Sequence, residues 1–328
     1  MSNTPLVTVI CLCFNHEDYV EDALISLKQQ TYTNIEIIIV DDASKDRSVE
    51  RIQATLQKYD IKAIYLPLSK NIGNCKAFNL AFTQSKGEFI IDFATDDVLL
   101  PDRIKDDVNC FLAHSKEYGC VFSDVRTIDA TGNTLSASYF KRNKKDELIE
   151  EVISGDVYQR ILKNPPLFSA PSITFKREVL LELGGYDESL AYEDYDIWIR
   201  SSRNYKYAFY DKVNTLKRDL PRSLGKQFYL TRGNQLLKST LKICRKAQKL
   251  NQTEEENSAL SQSIRYHAQL SVLTSNRLAA KAFYKLLSQL TSFDKKDRLL
   301  LLILKSKIDV SNLYLSVLNW KMRRKSNE

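Results

Sequence analysis

The 328-residue chain has only nine glycines, and the first of them is Gly73. No G-x-G-x-x-G follows the first predicted strand and no G-x-x-x-x-G-K-[ST] occurs anywhere, which excludes the two common glycine-rich phosphate cradles. Histidine is scarcer still. His16, His114 and His267 are scattered and no C-x-x-C accompanies them, which argues against a zinc site. The six cysteines (Cys11, Cys13, Cys75, Cys110, Cys120 and Cys244) read as buried reduced thiols of a cytosolic protein. Cys11 and Cys13, at i and i+2, are expected on one face of a strand. No run approaches the ~18–20 apolar residues of a membrane span; Leu299–Leu304 is the longest purely aliphatic run, and Lys305 ends it. The N-terminus lacks a basic segment and a small-residue cleavage site, so export is not expected.

What is present is ordinary globular composition, 43% hydrophobic, 27% charged and 10% aromatic, enough for one large domain or two of usual size. The net charge of +7 conceals an asymmetry. Residues 1–220 carry 27 Lys+Arg against 34 Asp+Glu, a net of −7, whereas residues 221–328 carry 21 against 7, a net of +14. An acidic body followed by a basic region suggests two jobs.

The first 125 residues alternate strand and helix patterns. Strands are predicted at Leu6–Phe14, Ile35–Val40, Lys62–Leu66, Glu88–Phe93 and Cys120–Val125. Helices are predicted at Tyr19–Gln30, Ser48–Tyr59 and Cys75–Thr83, and another is opened by Pro101 with Ile104, Val108, Phe111 and Leu112 inward. This alternation implies parallel βαβ units with right-handed crossovers. Residues 134–170 are less regular, with a charged patch at Lys141–Glu151 and Pro165-Pro166. Ser172–Phe175 and Lys206–Tyr210 read as later strands, with a helix at Glu193–Ser202 between them. Beyond Gly225 there is no proline and the pattern is helical. Leu236, Leu237, Leu241 and Ile243 start it, and Leu270, Leu273, Leu278, Phe283, Leu286, Leu287 and Leu290 continue it after a polar loop expected at Asn251–Ser261.

Ligands of such sheets sit beyond the carboxyl ends of the strands. There the sequence reads Cys13-Phe14-Asn15 after strand one, Asp41-Asp42-Ala43-Ser44 after strand two and Ala94-Thr95-Asp96-Asp97 after strand four. Two readings of these carboxylates stay open. Asp42 or Ser44, and Asp96 or Asp97, could cap the helices that follow. Together at neighbouring strand ends they point to a ligand site, with a hard divalent cation offsetting their repulsion.

The run VTVICLCFNHEDYVEDALISLKQQTYTNIEIIIVDDASKDRS, continued by NIGNCKAFNLAFTQSKGEFIIDFATDDVLLPDRI and GGYDESLAYEDYDIWIR, resembles family-2 glycosyltransferases of the GT-A fold over roughly residues 6–215. The resemblance implies an α/β, Rossmann-like mixed sheet flanked by helices over residues 1–220. Its nucleotide-sugar half is about residues 1–125, its acceptor half about 126–220, and residues 221–328 form a separate basic α-helical region. It implies that Phe14, Asn15, Asp41 and Asp42 line the base and ribose, and that Asn71 and Lys76 face the nucleotide, although Lys76 also reads as a solvated lysine. Thr95 and Asp96 would lie at the diphosphate, with Asp96 holding Mn²⁺ or Mg²⁺. The family's D-x-D is incomplete, because Ala94 stands at its first position, and Asp92 lies further back in the strand. Glu193 and Asp194 match the acidic pair near the acceptor, with Asp194 as general base; either could instead cap its helix. Trp198 reads as core or as a sugar platform.

The implied chemistry is inverting transfer of a sugar from a nucleotide diphosphate, a UDP-sugar, to an acceptor hydroxyl in surface polysaccharide synthesis. The acceptor would be a glycan or lipid-linked saccharide, and the protein would be cytoplasmic or peripheral on the inner membrane face. A catalytically silent nucleotide-sugar sensor or scaffold is the alternative that Ala94 favours. A nucleotidyltransferase would want a glycine-rich loop where Phe14-Asn15-His16-Glu17 stands. The basic C-terminal third, with Lys305, Lys307, Trp320, Lys321, Arg323, Arg324 and Lys325, fits a membrane-surface helix, or packing as in a homodimer. Nucleic acid is not expected as a partner.

Overall fold

β1 (Val7–Cys13), β2 (Ile35–Asp41) and β4 (Phe89–Ala94) are near-continuous apolar runs, and in the computed structural model they lie side by side. The structure describes residues 4–163, 167–221, 223–306 and 308–325, in two compact units. The first unit holds the sheet. β1 runs parallel to β2, pairing Cys13 with Asp41, and parallel to β4, pairing Leu12 with Ala94. β3 (Ile64–Pro67) continues the parallel set outside β2. Parallel neighbours cannot be joined by tight turns, and the crossovers are α1 (Val20–Lys28), α2 (Ser48–Lys58) and α3 (Asn74–Gln84). Strand residues Val9, Cys11, Ile39, Ile91 and Phe93 pack with Ala23, Leu24, Leu27 and Ile52 of the helices in one buried core. Burial on both faces explains why these strands are apolar runs rather than alternating patterns.

The other half of the sheet is mixed. β8 (Thr174–Lys176) lies antiparallel between β4 and β6 (Tyr118–Ile128), and β6 pairs in parallel with β9 (Lys206–Arg218). Two short strands escape the sequence pattern: β5 (Val98–Leu99) on β9 and β7 (Thr134–Ser136) on β6. The order is β3-β2-β1-β4-β8-β6-β9-β5. α4 (Arg103–Ala113) starts two residues after Pro101 rather than at it. Ile104, Val108 and Phe111 are buried as expected, but Leu112 is exposed, because it sits about 80° around the helix from Ile104. The buried polar pair of α4 is unexpected. Arg103 Nη1 donates to Asp107 Oδ2 at 2.7 Å. The same carboxylate accepts the hydroxyls of Thr174 in β8 and Tyr210 in β9, each at 2.6 Å. α6 (Arg177–Glu182) follows β8, and α7 (Asp194–Ser202) precedes β9. Trp198 is core, edge-on to Phe168 at 4.7 Å between ring centres, with Ile197 and Ile199 buried beside it. All six cysteines are buried thiols.

The second unit contains α5 (Tyr158–Lys163), the segment Ser189–Tyr195 and the chain beyond Leu220. Its helices are α8 (Gln235–Leu250), α9 (Glu254–Leu273), α10 (Arg277–Leu287), α11 (Lys295–Ser306) and α12 (Ser311–Lys325). Ile243, Cys244 and Ala247 of α8, Leu260, Ile264 and Ala268 of α9, and Phe283 and Leu287 of α10 are buried. The expected polar loop at Asn251–Ser261 is largely helix. Thr253 and Glu256 form a reciprocal capping box, which starts α9 at Glu254 in spite of its polar first turn. Leu278 is exposed, about 140° around α10 from the buried Phe283. Among the described residues no helix is long and apolar enough to cross a membrane. Lys307 and Pro165-Pro166 lie outside the described residues, as do the side chains of Lys321, Arg323, Arg324 and Lys325.

Candidate active site

Because β1, β2 and β4 are parallel neighbours, the loops leaving their carboxyl ends emerge on one rim. Those loops are bonded to each other. After β1 the chain turns at Asn15, whose φ of 59° is left-handed, a conformation asparagine tolerates better than most residues. Asn15 N–H donates to Ser44 Oγ at 2.9 Å, and its side-chain oxygen accepts from Lys45 N–H at 2.7 Å. His16 N–H donates to Ser48 Oγ at 2.8 Å. Phe14, beside them, is exposed at 41%.

The two aspartates at the end of β2 are buried and occupied by local donors. Asp41 accepts from Ser44, its N–H at 2.9 Å and its hydroxyl at 2.6 Å. Asp42 accepts the N–H groups of Ile72 and Gly73 at 2.7 and 2.9 Å, and Asn71 Nδ2 donates to the Asp42 carbonyl at 3.1 Å. Each carboxylate keeps unused lone pairs, since it offers about four acceptor positions. Neither Asp42 nor Ser44 caps α2. The N-cap position is Arg47, and the N–H of Ser48 is taken by Asp46 Oδ1 at 3.0 Å. Lys76 is exposed in the first turn of α3.

After β4, Thr95 is fully buried, and its N–H donates to the Leu12 carbonyl at 3.0 Å. Asp96 is partly exposed, and its Oδ2 lies 3.9 Å from His16 Nε2. Asp97 is buried and accepts Arg218 N–H at 2.8 Å. Burial first, and then the neighbouring Asp96 charge, push its carboxyl well above the usual range. It does not cap α4, which begins beyond Asp102. Arg218 then closes the loop. Its Nε donates to the Asp96 carbonyl at 2.9 Å, Nη1 to the carbonyls of Asp129 and Ala130, and its guanidinium lies 4.7 Å over the Tyr19 ring. Asp92 is engaged elsewhere, accepting from Tyr186 OH at 2.9 Å. Neither His16 nor Arg218 was singled out by sequence. The available signal was His16's position just beyond strand one.

Among the described residues, no group of three or more His, Cys, Asp or Glu side chains could hold a metal by itself. Within those residues there is no ready-made all-protein cage. The donor set fits a cation shared with a bound diphosphate, because Mg²⁺-type ions at nucleotide sites take one or two protein oxygens and complete their shell with phosphate and water.

Glu193 and Asp194 belong to the second unit, where both are half-buried between two anchored tyrosines. Tyr192 OH is 2.6 Å from Thr240 Oγ1 of α8, and Tyr195 OH donates to Ser263 Oγ of α9 at 3.1 Å. Ala191 N–H donates to Ser239 Oγ at 2.9 Å and Lys242 Nζ to the Ser189 carbonyl at 3.1 Å. The basic helical region thus fixes the backbone on either side of the acidic pair. Asp196, two residues on, is buried and accepts Arg200 Nε at 2.7 Å.

Residues 8–184 match the model of the family described as glycosyl transferase family 2. An uncharacterized glycosyltransferase of Methanocaldococcus jannaschii is 29% identical over 206 residues, 62% of this chain and 67% of its own. One of Rickettsia typhi is 31% identical over 61% of this chain and 59% of its own length, so the match spans under two thirds of that relative. The amylovoran biosynthesis glycosyltransferase AmsE of Erwinia amylovora is 27% identical over 60% of this chain and 69% of its own. Among solved structures, Staphylococcus aureus TarS 1–349 in complex with UDP-GlcNAc superposes with a TM-score of 0.68 at 18% identity, covering 97% of this chain and 92% of that one. The mannosyltransferase PcManGT of Pyrobaculum calidifontis, in complex with GDP-Man and Mn²⁺, gives 0.57 at 17% identity, covering 96% of this chain and 86% of that one. At such identities the likeness speaks for the fold.

Proposed function

The chain belongs to glycosyl transferase family 2 and has the GT-A fold, and from that premise we propose that it moves a sugar from a nucleotide-diphosphate donor, a UDP-sugar, to an acceptor hydroxyl with inversion at the anomeric carbon. The observation that most supports this is the bonded rim, which brings Asp41, Asp42, Thr95 and Asp96 to neighbouring strand ends. The unused lone pairs of Asp41 and Asp42 accept from the base and ribose. Phe14 and Asn15 border the base. Asn71 and Lys76 sit on the diphosphate side. Asp96 would hold a divalent cation, which supplies charge neutralisation to the leaving diphosphate. Asp194, with Glu193 beside it, accepts the proton of the attacking hydroxyl, assistance typically worth about 10²–10⁴-fold. A single displacement needs no protein nucleophile, and the buried cysteines, raised by burial, are poor ones: Cys13 is pushed up to about 11.

A glycan or lipid-linked saccharide is the acceptor this reading favours. The second unit supports the lipid-linked case. On α11 the exposed Leu299 and Leu302 sit among the exposed Lys295, Arg298 and Lys305, and on α12 Leu313, Val317 and Trp320 are exposed at helical spacing. An apolar stripe beside basic residues suits an anionic membrane surface. Co-sedimentation with anionic but not neutral vesicles tests this; a dimer by light scattering with no vesicle binding would replace it. The silent-sensor reading has one specific support, Ala94. Thermal stabilisation by UDP-sugars with Mn²⁺, followed by donor hydrolysis without acceptor, separates the two. Stabilisation without turnover of any donor favours the sensor, and no stabilisation by any nucleotide sugar defeats both.

A further inference from the structure

Ala94 removes one acidic side chain from the loop that faces the diphosphate in the proposed function. His16 meets the next two residues, Thr95 and Asp96. Its imidazole is mostly buried, 18% exposed, and its position is set by the bond from its backbone N–H to Ser48 Oγ. Nδ1 lies 2.9 Å from Thr95 Oγ1. The Thr95 hydroxyl has one proton, and with the Leu12 carbonyl in reach at 3.2 Å it is assigned to that acceptor. The Thr95 oxygen is then left to accept, so Nδ1 carries the ring proton; this tautomer is assigned from the hydrogen-bond network. In the neutral ring Nε2 is therefore a bare lone pair, and it faces Asp96 Oδ2 at 3.9 Å. Two acceptors held this way repel unless positive charge lies between them, either a second ring proton or a metal ion. Ligands each about 2.1 Å from one ion can lie up to about 4.2 Å apart, so this separation is within the reach of one shared cation.

We propose that His16 Nε2 and Asp96 Oδ2 together ligate the divalent cation of the donor diphosphate, the imidazole standing in for the carboxylate that Ala94 lacks. This rests on the donor-site reading above. The Nδ1–H bond to Thr95 orients the ring, as outer-shell partners do for metal-bound imidazoles. Diphosphate oxygens and water complete the shell. A nitrogen ligand moves preference away from Mg²⁺ toward Mn²⁺ or Co²⁺, so the same residue also sets metal selectivity.

The test uses the full chain with MnCl₂ and UDP, and in parallel GDP. Electron spin-echo spectroscopy of the bound Mn²⁺ is expected to show a nitrogen coupling that changes when histidine is ¹⁵N-labelled. H16Q is expected to lose that coupling and to weaken Mn²⁺ binding at least about 10-fold. A94D in the H16Q background is expected to restore metal binding and to accept Mg²⁺ nearly as well as Mn²⁺. A wild-type Mn²⁺–nucleotide complex without a histidine coupling overturns the assignment, and that reading does not depend on H16Q folding. So does H16Q with wild-type Mn²⁺ affinity. Failure of the wild-type chain to bind UDP or GDP at all, by calorimetry, overturns the donor-site reading and this proposal with it; bound nucleotide without the coupling overturns only the role of His16.

Discussion

The two units hold their acidic residues by different means. On the sheet rim, Asp41 takes the N–H of Ser44 in its own loop, Asp42 takes those of Ile72 and Gly73 beyond β3, and Asp97 takes that of Arg218 at the end of β9, so Asp42 and Asp97 each tie two distant segments together. In the helical unit, Glu193 and Asp194 lie between tyrosines whose hydroxyls reach α8 and α9. The difference is instructive about division of labour. A rim built from backbone donors is rigid and suited to binding. An acidic pair flanked by side-chain anchors depends on the helices that hold those anchors, and the basic C-terminal third gains a structural reason to be present.

The sharpest way to break this division is Asp194→Asn. Turnover is expected to fall by about 10²–10⁴-fold, with UDP binding by calorimetry unchanged; a full loss of nucleotide affinity would place Asp194 on the binding side. Next in size is Arg103→Met. It removes the guanidinium partner of Asp107, whose carboxyl burial already pushes up, and leaves that buried carboxylate the hydroxyls of Thr174 and Tyr210. A cost of about 3–5 kcal/mol is expected, read by chemical denaturation, with hydrogen exchange showing the loss in the sheet and not in α8–α10.

Acid should act in the opposite place. Burial lowers His267 to about 4 from 6.5. The unfolded chain takes up a proton as pH falls through 6.5 while the folded one does not. Stability is thus complete above pH 6.5 and is lost progressively toward pH 4, by about 3 kcal/mol. Melts between pH 7 and pH 4 should show His267→Gln with a flatter dependence than wild type, and exchange should place the acid-labile amides in α9. The smallest effect sharpens the contrast further. Thr253→Ala removes the capping box of α9 and should cost about 1 kcal/mol, confined to the helical unit, with nucleotide binding at the rim unaltered.

Much of the rim was legible. Asp41, Asp42 and Asp96 could be named because strand and helix alternation implies parallel neighbours, and parallel neighbours put their carboxyl ends together. The capping alternative left open for Asp42 and Ser44 fails for a local reason: the N–H of Ser48 goes to Asp46, two residues before it. The polar loop expected at Asn251–Ser261 gives way to helix because the reciprocal Thr253–Glu256 pairing satisfies the N–H groups of both residues at the start of α9 despite the polar composition there.

By itself the sequence determined the four parallel strands, their crossover helices, the acidic strand ends and the helical character of the basic third. All of these follow from periodicities and cap signals that act within a few residues. Only the tertiary structure decided that His16 meets Thr95, 79 residues away, that Arg218 closes the Asp96 loop across 122, and that Tyr195 is anchored on Ser263 across 68. It also decided that β8 enters the sheet antiparallel beside β4. Such pairings depend on which strand or helix becomes whose neighbour. That choice is made by packing of the whole unit, and no local pattern encodes it.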